Sequence, residues 1–144
     1  MSKLSIIISK VNSTNNLLEV KFISRNKGKG IFAKKNIAKG VIIDIAHVIL
    51  ISNKDWDLIE DTSISNYSFE WDDPNCIGEY ESAISLSISQ FINHSYNPNV
   101  KYIYSYQNKS IEYITIRDIS KDEEITVNYN GEPFNKSPVW FEIE

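Results

Sequence analysis

A mainly β domain is predicted by three features of the sequence. Twenty-four Ile stand against six Leu, with eight Tyr and six Phe, and β-branched and aromatic side chains suit a pleated surface better than a helix. Strand-like runs recur along the whole chain, separated by turn-forming residues. Helical patterning is confined to short stretches. The 144 residues suffice for one domain with a sizeable core, and no repeat, low-complexity linker or internal break divides them.

The elements follow in order. Strands are expected at Ser5–Ser9, Leu17–Ile23, Val41–Ser52, Tyr67–Trp71, Val100–Tyr106, Ile111–Arg117 and Glu124–Asn128. Tyr102, Tyr104 and Tyr106 fall at period two. Gln107-Asn108-Lys109 then turns the chain into Ile111-Glu112-Tyr113-Ile114, a hairpin signal. Asn53 to Ile59 should form a helical turn or two, with Asn53 or Asp55 as N-cap. Ala83–Phe91 reads as either a short helix or a strand, because its repeated Ser favours neither.

Composition removes several function classes. Cys76 is the lone cysteine and His47 and His94 the only histidines, so a disulfide framework, a Cys-rich zinc site and a His/Cys metal cluster are not expected. The apolar run in Met1–Lys10 is too short for a signal-peptide core, and nothing approaches a span of ~20 apolar residues. An intracellular, membrane-free protein is the expectation. The net charge of −4 hides a split. Residues 1–40 carry nine Lys/Arg against the single acid Glu19, a balance of +8; residues 41–144 carry six basic and eighteen acidic side chains, −12. Direct nucleic-acid binding by the whole chain is a poor fit; a cationic ligand or peptide suits the acidic part.

Three segments carry most of the information. In Gly28-Lys29-Gly30-Ile31-Phe32-Ala33 the glycines permit a backbone approach that side chains would block, or simply a tight turn between strands. It is neither a phosphate loop nor a dinucleotide fingerprint. Phe91-Ile92-Asn93-His94-Ser95-Tyr96-Asn97-Pro98-Asn99 gathers amide, imidazole and hydroxyl groups in a turn-rich stretch. Ser95 is a poor nucleophile there, since neighbours in sequence seldom face each other and no nucleophile elbow surrounds them. Asp122-Glu123-Glu124-Ile125-Thr126-Val127-Asn128-Tyr129 is an acidic turn feeding a strand that ends on tyrosine. Adjacent Glu123 and Glu124 face opposite sides of a strand and make a poor acid–base pair.

In this order and spacing the segments resemble the SET-domain family of protein lysine methyltransferases. Members show G-x-G-x-[FV]-A, then [FY]-x-N-H-S-x-x-P-N, then [DG]-E-E-[LI]-T-x-x-Y. The resemblance implies a β-clip fold of small curved sheets with a C-terminal pseudoknot and short helices. It also implies an S-adenosylmethionine cofactor on one face and a substrate lysine entering an aromatic channel from the other, with no metal. Carried over by position, Lys29, Gly30, Asn93, His94 and Tyr129 would contact the cofactor. Tyr129 would be the catalytic residue, and Tyr67 and Tyr102 would line the channel. Lys27 or Lys29 would lie near the cofactor's carboxylate. Methyl transfer from a sulfonium is an in-line displacement, so alignment does most of the work. The amine, of ordinary pKa about 10.4, loses its proton more readily in an aromatic channel beside a positive sulfur.

The resemblance runs over 17–130, leaving 1–16 as an N-terminal strand or extension and 131–144 as a tail. No cysteine-rich zinc segment flanks the domain, as in minimal viral and bacterial members, some of which are dimers; a homodimer is one expectation. The tail would close the lysine channel with Trp140, Phe134 or Phe141, or pack on the core or a second subunit. Tyr102, with Val127 where trimethylating members carry a bulkier aromatic, implies mono- or dimethylation. The partner would be a protein with an accessible lysine in a basic segment, a histone or another chromatin protein among the candidates. The other reading is a catalytically weak SET module that binds a basic peptide.

Overall fold

The computed structural model describes residues 16–141. The strand expected at Ser5–Ser9 lies outside them. Nine strands form two sheets: β1 Leu18–Ser24, β2 Gly28–Ala33, β3 Ile42–Ser52, β4 Ser68–Glu70, β5 Tyr80–Ser85, β6 Asn93–His94, β7 Val100–Ser105, β8 Ser110–Thr115 and β9 Glu124–Val127. One helix, α1 Asn53–Ile59, and two 3₁₀ turns, Ser65–Tyr67 and Ile88–Phe91, complete the described residues. The orders are β1-β2-β9-β6 and β4-β5-β3-β8-β7.

The long β3 explains the curl of the larger sheet. Its first half pairs with β8 (Ala46 opposite Ile111) and its second half with β5 (Leu50 opposite Ala83), so one strand passes from one ladder to the other. The expected hairpin is β7–β8, with Tyr102 opposite Tyr113 and Lys109 taking the left-handed conformation in the turn (φ 48°). Isoleucine dominates the core, as the composition suggests: Ile31, Ile43, Ile111, Ile119 and Ile125 are each no more than 2% exposed. β-Branched side chains hold a single preferred χ1 and lose little freedom on burial in a sheet.

Two local readings need correction. The helix N-cap is Ser52, not Asn53 or Asp55. Ser52 keeps extended dihedrals from β3, and its hydroxyl accepts the Asp55 N–H (3.2 Å) while donating to the Asp55 carboxylate (2.9 Å). Asn53 is already helical, and its side chain donates to the Gly78 carbonyl (2.8 Å). The glycine-rich segment is not only a turn. Gly28 turns the chain (φ +69°), but Gly28–Ala33 is itself a strand, central between β1 and β9. Ala83–Phe91 resolves into both alternatives, strand to Ser85 and then a 3₁₀ turn.

Candidate active site

The second and third segments meet as parallel neighbours. Asn93 lies opposite Thr126 and His94 opposite Val127, and the Ser95 N–H donates to the Val127 carbonyl (2.8 Å). The expected pseudoknot depends on this pairing. Asn99, 1% exposed, staples the two segments. Its amide donates to the Glu123 carboxylate (3.1 Å) and the Glu124 carbonyl (2.7 Å), and its oxygen accepts the Thr126 N–H (2.9 Å). Buried polar groups must be paired, and a short side chain with both donor and acceptor pairs three of them here.

The acidic turn is therefore not a row of solvated carboxylates. Glu123 also pairs with Arg117 (2.6 Å) and accepts the Ser120 N–H (3.0 Å). Partial burial pushes its pKa up, but the hydrogen bonds from Ser120, Asn99 and Arg117 together outweigh that and hold it below its ordinary value. Glu124 points the other way, as strand alternation requires, and accepts from the Asn93 amide (2.9 Å). The remaining Asn93 N–H donates to the Lys29 carbonyl (3.2 Å). With both donors used, the oxygen of Asn93 is left as an acceptor with no partner among the described residues. Gly30 makes this junction possible: a Cβ there would come within 2.6 Å of Ile23 and 2.9 Å of both Asn93 Nδ2 and Glu124 Oε1.

A cavity of about 1100 Å³ opens beside this junction. It is lined by Lys27, Gly28, Lys29, Phe91 and Asn93, by Tyr67, Phe69, Tyr102, Tyr113, Val127 and Tyr129, and by Glu60, Glu70, Asp72 and Glu81. Trp140 of the tail lines it as well. The Lys29 ammonium lies 5.6 Å from the Phe91 ring centre, within cation–π range. Of the sequence-derived site residues, Lys29, Asn93, Tyr67, Tyr102, Tyr129 and Trp140 share this cavity. Gly30 itself does not line the cavity, although Lys29 before it does.

His94 has a different place from the other site residues. Its Nδ1 accepts the Tyr129 backbone N–H (3.1 Å), and its ring meets Tyr96 edge-on at 4.5 Å. It links the two segments without lining the cavity. Burial lowers its pKa from the ordinary 6.5, so the neutral ring is the one that fits. Below about pH 6.5 the unfolded chain takes up this proton more readily than the folded one. The stability contributed is complete above that value and falls as the pH drops towards the lower folded pKa. Scanning calorimetry is expected to show the melting midpoint falling between pH 7 and 5. His94→Gln, whose oxygen still accepts the Tyr129 N–H, should flatten that slope.

Tyr129 hangs from the end of β9 into the cavity. Its hydroxyl donates to the Ile92 carbonyl (2.7 Å), and its pKa is pushed up to about 12, first by burial and then by Tyr102, Tyr67 and Glu124. Tyr102 is likewise pushed up to about 12, by burial and then by Glu70 and Glu132; its hydroxyl donates to the Tyr129 carbonyl (3.3 Å). Both phenols are neutral near pH 7.

The tail is anchored where Asn128, 2% exposed, donates to the Asn135 carbonyl (2.6 Å). Tyr96 Oη and Asn130 Nδ2 both donate to the Ser137 carbonyl (2.9 and 2.8 Å). These ties bring Trp140 over Tyr129, stacked at 5.7 Å and 18°, with Phe141 edge-on at 6.0 Å. Phe134 stays 83% exposed. Phe69, of the Tyr67-Ser68-Phe69 match to a channel-lining Tyr-x-Phe, lines the cavity too, whereas sequence reasoning did not single out Tyr113. The register Tyr102–Tyr113 followed from the hairpin and would have indicated it.

Small curled sheets, a parallel β6–β9 contact and an aromatic cavity lined by the half-buried Tyr129 define a SET-type domain. The SET domain model matches residues 28–130, and the chain belongs to that family. It is similar to the histone-lysine N-methyltransferase, H3 lysine-37 specific, of Schizosaccharomyces pombe. The two are 28% identical over 128 residues, spanning 88% of this chain and 78% of that protein. In fold it is similar to a crystal structure of a Plasmodium falciparum protein described as a histone methyltransferase. The TM-score is 0.59 at 24% identity, over 79% of this chain and 93% of that one. No helix among the described residues is long and apolar enough to cross a membrane.

Proposed function

We propose that the protein transfers a methyl group from S-adenosylmethionine to the side-chain amine of lysine in a protein substrate. The observation that carries this is one cavity lined both by Lys27, Lys29 and Asn93 and by Tyr67, Tyr102 and Tyr129.

The residues present fit the cofactor. The free Asn93 oxygen suits its ammonium, and the Lys27 and Lys29 side chains suit its carboxylate. The Gly30 junction holds the Asn93 amide in the required orientation. When bound, S-adenosylmethionine supplies an electrophilic methyl group on a positively charged sulfur. Tyr67 and Tyr102 replace water around the entering lysine, which disfavours its ammonium form. Tyr129 stays protonated and orients the reacting groups rather than acting as a tyrosinate base. Trp140, stacked on Tyr129, covers the site on the tail side. Tyr102 and Val127, both lining the cavity, support mono- or dimethylation. The relative's name supports histones as the first substrates to try.

Calorimetric titration with S-adenosylmethionine, then tritium-methyl transfer to histones and to a mixed lysate, tests the reading. Binding followed by labelled mono- and dimethyl-lysine is expected. Binding without transfer to any protein would favour the peptide-binding module instead, and trimethyl-lysine as the dominant product would overturn the product assignment.

A further inference from the structure

The proposed cofactor site uses only Lys27 and Lys29 of the basic first forty residues. Lys34, Lys35 and Lys39 of the same stretch lie elsewhere. β2 starts at the cavity with Gly28 and carries the chain to Lys34, roughly 20 Å away along extended backbone. There the loop after β2 and the loop before β9 are bound to each other. Ile37 and Ile119 exchange both backbone hydrogen bonds (2.8 Å each) and are 4% and 2% exposed. Asn36 Oδ1 accepts the Lys121 N–H (2.8 Å), and Asp118 Oδ1 accepts the Lys39 N–H (2.8 Å). The Lys34 N–H donates to the Leu17 carbonyl (2.8 Å). These bonds fix the backbone of a platform that carries Lys34, Lys35, Lys39 and Lys121, all exposed.

The acids around this platform are mostly taken. Lys21 pairs with Glu19 and Asp122, and Arg117 with Glu123. Asp118 is left as the unpaired acid beside four lysines that have no ion pair among the described residues. None of the four lines the cavity of the candidate site. Ammonium groups on flexible stems meet phosphates as point charges, without the bidentate fork that reads base edges. The exposed residues between them, Asn36, Ala38, Gly40 and Ser120, offer no ring on which single-stranded bases could stack. They also include no Trp, Tyr or Arg of the kind that anchors a protein interface. That combination fits a sequence-independent contact to the regularly spaced phosphates of a duplex.

We propose that this platform binds the phosphate backbone of duplex DNA, without base readout. The rest of the chain, acidic from residue 41 onward, confines the contact to this one end. The binding does not depend on the methyltransferase reading. Under that reading it has a consequence: with the duplex held on the platform, the cavity stays open to a protein packaged on the same DNA.

Anisotropy of a fluorescein-labelled duplex of arbitrary sequence, titrated with the protein at several salt concentrations, tests this. Four phosphate contacts predict a slope of about −3.6 in log K against log salt, or roughly 10²-fold weaker binding between about 50 and 200 mM. The triple variant Lys34→Gln, Lys35→Gln, Lys121→Gln is expected to bind on the order of 10²-fold more weakly at the lower salt, with the slope reduced to about −1. The triple variant Lys54→Gln, Lys101→Gln, Lys109→Gln removes the same charge elsewhere and should leave affinity and slope unchanged. Equal losses in the two variants would reduce the effect to net charge and overturn the platform. So would no binding to the duplex, tighter binding to the single strand, or displacement by poly-glutamate as effective as by unlabelled duplex. Tritium-methyl transfer to free histones and to nucleosomes then separates the two readings. The platform variant should match wild type on free histones and fall on the order of tenfold in kcat/KM on nucleosomes; an unchanged rate on nucleosomes overturns the consequence for packaged substrates. Transfer to neither would overturn the methyltransferase reading, while the anisotropy still decides the platform.

Discussion

Tyr129→Phe is expected to lower kcat for methyl transfer by roughly 10²–10³-fold, the usual cost of one preorganised polar group at a reacting centre. Affinity for S-adenosylmethionine should change little. The ring survives, and with it the stacking on Trp140. What disappears is the hydroxyl that donates to Ile92 over 2.7 Å, leaving that carbonyl unpaired at a cost of about 1 kcal/mol. The variant therefore remains folded by circular dichroism while turnover collapses. Near-normal turnover would remove Tyr129 from the chemistry. Because the phenol is held neutral, with its pKa pushed up to about 12, wild-type activity should show no rise through pH 8–10 attributable to its ionisation.

The largest stability effect is expected at Asn99. Asn99→Ala strands the Thr126 N–H, the Glu124 carbonyl and part of the Glu123 carboxylate at once. Each unmet buried group costs about 1–3 kcal/mol. Even with partial relaxation a loss of roughly 2–4 kcal/mol in urea unfolding is expected, with a fall in Tm on the order of 10 °C. Asn99→Asp keeps the acceptor for Thr126 but sets a second carboxylate against Glu123. It should be almost as damaging at pH 7 and less so in acid, where either carboxyl can be protonated. A change below 1 kcal/mol in both variants would show that the two segments are held together elsewhere.

Most strands were legible because burial on one side imposes a period of two. The burial along β8, with Ile111, Tyr113 and Thr115 inside, repeats the spacing visible in the sequence. β2 was hidden because Gly28 and Gly30 are weak strand formers, and the reason for Gly30 lies in residues distant along the chain. The helix was visible but its cap was not: Ser52 serves as cap only because β3 delivers it in extended conformation. Of the site, Asn93, Tyr129 and the channel tyrosines were legible as residue types in an ordered pattern. That His94 would accept from Tyr129 rather than line the cavity was not, since the bond spans 35 positions.

By itself, then, the sequence determined a mainly β domain, the ordered motifs of a SET domain and the separation of charge along the chain. Local spacing and composition carry that much, because they act through neighbours in the chain. Tertiary structure alone decided that the tail would lay Trp140 rather than Phe134 on Tyr129, and that Glu123 and Glu124 would serve different partners. Each of those outcomes follows from long-range pairing of strands. The direction a side chain faces, and the group it must satisfy, exist only once the strands have met.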